Sequence, residues 1–367
     1  MTVEREPDGG LVLSDAALTE SGEAPSAPSS EQSYGPSFLK RFLAAVSPKS
    51  MSLLYIDAVF LIVFAFWVPD LFYTSTTFKS LLYQQAVTGV AALAFLIPYT
   101  TLNFDLTVGN LVGVSSLFTC WLIVEENVAV PLAIVIALIA CGLIGCLTAF
   151  FVTVLKIESV ITTIAMMFII NALGNAARNG QQVLGLPSSY TKISSTEVFG
   201  IALPFFYLIA LGIIAWYVLT HTPIGRYLYA TGGGKEAARL AGVQVNRLIF
   251  LSFVASAILA GIAGVMVSSR VGTGDYTVGA PYLFPAAAAI FLGSTQVKRG
   301  VFNVWGTILA VYSLGVIVKG LELGGAPFWL SDLMNGSALL AAVALSQLRL
   351  VRPANWRRQP KAATVSE

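Results

Sequence analysis

The sequence predicts an all-α integral membrane protein of about ten transmembrane helices with both termini cytoplasmic. Three observations carry that expectation. Of 367 residues, 56% are hydrophobic and only 11% charged, against about 25% charged in a typical soluble domain, and mean hydropathy is +0.78. Ten apolar runs follow one another from residue 53 to residue 348, most approaching the roughly 20 residues that a helix needs to cross a bilayer. Basic residues gather on alternate connections, as the positive-inside rule expects of cytoplasmic segments.

Residues 1–37 form a separate zone of Glu, Ser, Pro, Gly and Ala with few large apolar side chains. A disordered cytoplasmic tail is expected there; it lacks the basic start and apolar centre of a cleavable signal peptide. The transmembrane domain is then 38–348. Its runs are 53–68 (extending toward 73), 81–98, 106–124, 128–155, 157–177, 201–220, 248–267, 278–292, 301–318 and 328–348. The fourth is long enough to tilt or protrude. The eighth is short enough to be re-entrant, and charge decides against that. With ten spans the inside holds Lys40, Arg41, Lys49, Lys156, Arg226, Lys235, Arg239, Arg247, Lys298 and Arg299. It also holds Arg349, Arg352, Arg357, Arg358 and Lys361 of the basic tail 349–367, while the outside holds Lys79, Arg178, Lys192, Arg270 and Lys319. A re-entrant eighth run would export the basic tail.

Several functions are excluded early. A net charge of +2 gives no nucleic-acid footprint. Cys120, Cys141 and Cys146 lie inside apolar runs without metal-type spacing and read as small core residues. His221 is the lone histidine, so no metal or catalytic role is expected of it. There is no GxxxxGK[ST] phosphate loop, because Gly234-Lys235 is followed by Glu236. The chain is therefore not expected to be an enzyme, with no catalytic residues and no cofactor of its own.

The longest functional signal is the polar interruption 222–247, TPIGRYLYATGGGKEAARLAGVQVNR. Gly232, Gly233 and Gly234 read as a flexible lead-in, 235–241 as a run of helix formers, and Gly242 as its stop. Ala237, Leu240 and Ala241 share a face at i, i+3, i+4 spacing. Such a small-residue face suits docking into a groove on another protein; an ordinary solvated loop helix is the alternative.

GRYLYATGGGKEAARLAGV resembles the cytoplasmic coupling loop of permease subunits of ATP-binding-cassette (ABC) importers, specifically the ribose/xylose/galactose-type sugar permeases. Glu236 to Gly242 match that family's Glu-Ala-Ala-Arg-Leu-Ala-Gly. The resemblance implies that Arg226, Gly233, Glu236, Ala237, Ala238, Arg239, Leu240 and Gly242 contact the ATPase and pass its motion to the spans. It further implies a permease homodimer or paralogue heterodimer, an extracytoplasmic solute-binding protein, and a place in the lipid of a bacterial plasma membrane. The solute would be a small polar one, a monosaccharide or polyol, carried by alternating access. A nucleoside or branched-chain amino acid ranks second.

NFDLTVGNLVG at 103–113 resembles the same family's Gly-Ile-Asp-Leu-Ser-Val-Gly, with Asp105, Leu106, Val108 and Gly109 matching. An aspartate costs about 2.5 to 3.5 kcal/mol at the centre of an inserting helix, so Asp105 is not expected to face lipid. Its first reading is a cap for a helix starting at Leu106; its second is a pathway residue. Gly109 and Gly113 form a GxxxG pair for close helix approach, and Ala257, Gly261, Gly264, Gly142 and Gly145 read as packing faces. FLGSTQVKRGVFNVWGTILA resembles the family's glycine-rich turn at Gly293, Gly300, Gly306 and Thr307, and departs from it at Leu292, Arg299, Phe302 and Ala310.

Amides within spans suit sugar hydroxyls. Gln84, Gln85, Asn110, Asn171, Asn175 and Asn335, with Asp105 and Asp332, are candidate pathway groups, although such groups also bond helix to helix. The outside connections 174–200 and 268–277 are candidate contacts for a binding protein; plain loops are the alternative. The rival function is a self-contained secondary transporter or channel, which would want ionisable groups near mid-membrane and a repeat of broken spans.

Overall fold

The computed structural model describes residues 52–297, 300–327 and 329–350. The expected tail 1–37, the pair Lys298–Arg299 and the basic tail beyond residue 350 lie outside the described residues.

Each of the ten apolar runs forms a helix. In chain order these are α1 Ser52–Trp67 with a one-turn continuation α2 Pro69–Phe72, α3 Ser75–Tyr99, α4 Val108–Val124, α5 Val130–Thr153 and α6 Ser159–Arg178. A short amphipathic helix α7 Ser188–Ser195 and a two-stranded hairpin, β1 Glu197–Val198 with β2 Ile201–Ala202, precede α8 Leu203–His221. The polar interruption supplies α9 Pro223–Gly233 and α10 Lys235–Leu240. The remainder is α11 Val245–Val271, a 3-10 turn Thr277–Gly279, α12 Ala280–Gly293, α13 Val304–Leu323 and α14 Trp329–Leu350. Proline opens α2, α5, α8, α9 and α12, where its missing N–H goes unneeded. Thr74 and Asn303 cap α3 and α13 by accepting from the amides of Thr77 at 3.1 Å and Gly306 at 2.8 Å.

Six of these helices, α3, α5, α6, α8, α11 and α13, are long and apolar enough to cross a membrane; α1, α4 and α12 are apolar but shorter. α5, α6 and α8 are buried over only 28% of their apolar windows. Ile139, Leu143, Ile161, Phe168, Leu173, Ile214 and Tyr217 are exposed on them, a surface that lipid tolerates and water does not.

α11 is the central helix, packed against α3, α4 and α5. Its small residues permit this, as expected. A Cβ on Gly264 would lie 2.3 Å from the Val112 carbonyl oxygen, and one on Gly145 would lie 2.6 Å from the Ala257 Cβ. The Ser115 hydroxyl donates to the Gly261 carbonyl at 2.8 Å. The GxxxG pair receives the start of α12, as expected, together with the 3-10 turn before it: a Cβ on Gly109 would lie 3.2 Å from the Leu283 Cβ, one on Gly113 1.8 Å from the Tyr276 carbonyl oxygen, and one on Gly279 1.9 Å from that of Gly109. Backbone thus crosses backbone, and α12 begins at Ala280, two residues after the start expected of the eighth span. α12 and α13 meet in the same way at Gly293 and Gly306.

The bundle has two ends. One carries α9 and α10. The other carries α7, whose Tyr190 and Ser194 hydroxyls lie 2.6 Å from those of Ser268 and Ser269 at the far end of α11. There Glu197 of the hairpin meets Lys79 at 2.9 Å, Glu125 pairs with Arg178, and Val183 bridges to Gly274. The connections 174–200 and 268–277 are therefore fastened to one another. Cys120 and Cys141 are buried and Cys146 half-buried, all as free thiols.

Candidate functional site

The polar interruption begins at Thr222, which caps α9, with Pro223 in its first turn. Gly225 lets the chain double back: a Cβ there would lie 2.2 Å from the Leu219 carbonyl oxygen. The expected flexible glycine lead-in is not present. Gly232 and Gly233 form the last turn of α9, and only Gly234 is extended. Gly232 has a packing reason, because a Cβ on it would lie 2.2 Å from the Thr100 carbonyl oxygen. α10 ends at Gly242, whose φ is +83°, a conformation that favours glycine. The amides of Gly242 and Val243 donate back to the carbonyls of Arg239 and Ala238, both at 3.0 Å, a Schellman-like closure.

Ala238 is the one buried residue of α10, seated among Ala149, Val245, Ile249 and Phe253 at the ends of α5 and α11. Glu236, Ala237, Arg239, Leu240 and Gly242 face away from the bundle, as do Arg226 and Gly233 on α9. Leu240 is 90% exposed. The bond from Arg239 to Glu236, 2.8 Å long within the helix, joins two exposed side chains and holds little energy.

This segment touches two turns of the bundle. The Lys235 ammonium donates to Asn103 Oδ1 at 3.3 Å, and Gly232 rests on Thr100. The Tyr229 hydroxyl donates to the Phe302 carbonyl at 2.6 Å; burial pushes its pKa up to about 12, so it stays a neutral donor. These turns, 100–107 and 300–303, meet each other through rings. Tyr99 packs edge-on against Phe104, Phe291 and Phe302 at centroid distances of 4.8, 5.1 and 4.6 Å.

Asp105 lies in the first of those turns with 1% exposure. Its Oδ1 accepts from the Thr107 amide at 3.1 Å and the Thr107 hydroxyl at 2.5 Å, and its Oδ2 accepts from the Ser256 hydroxyl of α11 at 2.7 Å. Burial raises its carboxyl pKa and the Thr107 and Ser256 bonds oppose the rise. The cap reading needs correction. α4 starts at Val108, and the carboxylate closes a turn on Thr107 instead of serving a helix that starts at Leu106. The Phe104 amide donates to Ser159 Oγ at 3.2 Å, joining the same turn to α6.

The remaining pathway candidates lie on α3, α4 and α6. Half-buried Asn110 donates to the Met167 carbonyl at 3.3 Å. Half-buried Gln85 lies over Gly315, and Gln84, Asn171 and Asn175 are exposed on α3 and α6. A polar cleft of about 550 Å³ does open beside α10, between Asn103, Lys156, Glu158, Lys235, Glu236 and Asn246. An apolar groove of about 470 Å³ runs between α4, α5 and α6 past Phe118, Trp121 and Leu173. Among the described residues no three His, Cys, Asp or Glu side chains gather as a metal site.

Sequence reasoning missed Ser256, Thr107 and Tyr229. Ser256 carries a faint signal, a hydroxyl within an apolar run whose other demands are for small residues. Its partner, 151 positions away, is invisible in a single sequence.

Comparison with known proteins agrees with the geometry. A family model described as the branched-chain amino acid transport system / permease component matches residues 77–343. The ribose import permease protein RbsC of Escherichia coli (strain K12) is 28% identical over 282 residues, covering 74% of this chain and 86% of the relative. The L-arabinose ABC transporter permease protein AraH of Azospirillum brasilense is 29% identical over 294 residues, covering 79% and 86%. The autoinducer 2 import system permease protein LsrD of Salmonella paratyphi B is 24% identical over 270 residues, covering 72% and 81%. No solved structure matches.

Proposed function

Since the chain belongs to the family described as the branched-chain amino acid transport system / permease component, we propose that it is the membrane-spanning permease subunit of an ABC importer for a small polar solute, a monosaccharide or polyol. The relatives named for ribose, L-arabinose and autoinducer 2 import support that solute class. In this reading all ten apolar helices span the plasma membrane of a bacterium. Both termini and α9–α10 lie in the cytoplasm, and α7 with the hairpin lies outside. Two permeases pair, as homodimer or paralogue heterodimer. An ATPase that binds ATP and Mg docks inside, and a solute-binding protein docks outside on 174–200 and 268–277.

The observation that carries the reading is α10. It is anchored on the bundle by buried Ala238 and by the Lys235–Asn103 bond, and presents Glu236, Ala237, Arg239 and Leu240 outward. An apolar side chain 90% exposed at the tip of a short helix has a use where a second protein supplies a groove. ATP closes the ATPase pair, the pair moves α10, and the bundle shifts between inward- and outward-open states. Import then requires that ATP bind one state with higher affinity than the other.

The test is copurification in mild detergent of the intact chain and a Glu236→Arg, Gly242→Pro variant. Recovery of an ABC-type ATPase with the first and its loss from the second supports the reading. If no ATPase is recovered and purified chain alone moves solute across liposomes, a self-contained secondary transporter takes its place.

A further inference from the structure

Asp105 presents a problem. Its carboxylate is among the most costly groups in the protein to bury, and both of its oxygens are spent on the protein itself, on Thr107 and Ser256. The residue is 1% exposed. A solute-binding carboxylate would need the opposite arrangement. What the carboxylate does hold is position. The turn 100–107 is fixed to α11 through Ser256 and to α6 through Ser159. It is fixed to α12 and the 300–303 turn through the rings of Tyr99 and Phe104. The α9–α10 segment reaches this same assembly at three points: Gly232 on the Thr100 carbonyl, Lys235 on Asn103, and Tyr229 on the Phe302 carbonyl.

We infer that the turn 100–107 is the transmission element between the α9–α10 segment and the helix bundle, and that Asp105 is a positioning residue that locks this turn to α11 without touching the solute. The inference rests on the proposed permease function. Physically, a push on α10 reaches α11 through Ala238 and through the short link 241–244. The turn offers a second route, because it is wedged by backbone contact at Gly232 and closed by the 2.7 Å bond from Ser256 to Asp105. Loosening either end lets α10 move without carrying α3, α6 and α12 along. Hydrolysis then continues while translocation slips.

The experiment uses the complete importer in liposomes, comprising permease, ATPase and binding protein, and reads three quantities: ATPase recovered with the permease, solute moved per ATP hydrolysed, and apparent solute affinity. Tyr229→Phe removes only a hydroxyl at the 300–303 turn. Asp105→Asn keeps the volume but gives up the charge. Both are expected to retain the ATPase and the solute affinity while solute moved per ATP falls roughly five- to tenfold. Gly232→Ala, whose Cβ would lie 2.2 Å from the Thr100 carbonyl oxygen, is expected to lower the same ratio. If Asp105→Asn weakens solute affinity and leaves the ratio unchanged, Asp105 is a pathway residue and the inference is overturned. Wild-type ratios in Tyr229→Phe and Gly232→Ala would overturn it equally. Should Asp105→Asn fail to fold, Tyr229→Phe, at a partly buried site, carries the test. A wild-type chain that recovers no ATPase sinks the permease reading and this inference together, whereas wild-type coupling with unaffected variants sinks this inference alone.

Discussion

Ser256 on α11 donates to Asp105 Oδ2 at 2.7 Å, joining the central helix to a turn 151 residues earlier in the chain. Removing that donor strands a buried carboxylate oxygen. Ser256→Ala should destabilise the protein by about 2 kcal/mol, the range for hydrogen bonds to charged groups. A lower apparent unfolding temperature in detergent is the expected result; an unchanged one means that the bond does not form.

The glycine crossings should be intolerant of a methyl group. In Gly113→Ala the new Cβ would sit 1.8 Å from the Tyr276 carbonyl oxygen, and backbone rather than a flexible side chain must give way. Folded yield from the membrane should collapse. Gly336→Ala, with nothing within 4 Å of the added Cβ, should be recovered at wild-type level or above, since alanine is the better helix former.

Leu240 separates docking from stability. Its side chain is 90% exposed, so Leu240→Glu should move the unfolding midpoint by no more than about 0.5 kcal/mol. The same change should abolish ATPase copurification. Retained ATPase would exclude this face as the docking surface.

The Lys79–Glu197 pair that holds the hairpin is 44% and 46% exposed. Exposed pairs are worth about 1 kcal/mol or less, so Lys79→Ala should leave thermal stability within error at physiological salt. A large loss would show that the hairpin is held by this contact rather than by the packing of β2 against α3.

Much of the architecture was legible in the sequence because a bilayer imposes a coarse rule: apolar runs of sufficient length become helices. The ten runs lie within a few residues of helix limits for this reason, and Gly242 was legible as a stop because its left-handed backbone admits few residues. What escaped depends on contact between distant segments. Gly232 reads as flexibility until Thr100 is placed against it. GxxxG reads as a helix seat, which it is for the start of α12, but the 3-10 turn laid across Gly113 is not foretold. Asp105 reads as a cap because its true partner, Ser256, lies far off in sequence. The pathway amides cannot be sorted from sequence for a related cause: an amide facing a solute and one bonding a neighbouring helix have the same one-letter code.

α11 has one further consequence. Its 27 residues make a rod of about 40 Å. Val245, at one end, helps seat Ala238 of α10, and Ser268 and Ser269, at the other, hold the hydroxyls of α7. In the proposed importer both docking faces lean on this one helix. Thermodynamic reciprocity then requires that any protein seated on α7 that favours one placement of the helix alter, by an equal factor, the affinity of whatever grips α10. On that proposal, occupancy on one side of the membrane becomes information on the other, and it travels in both directions.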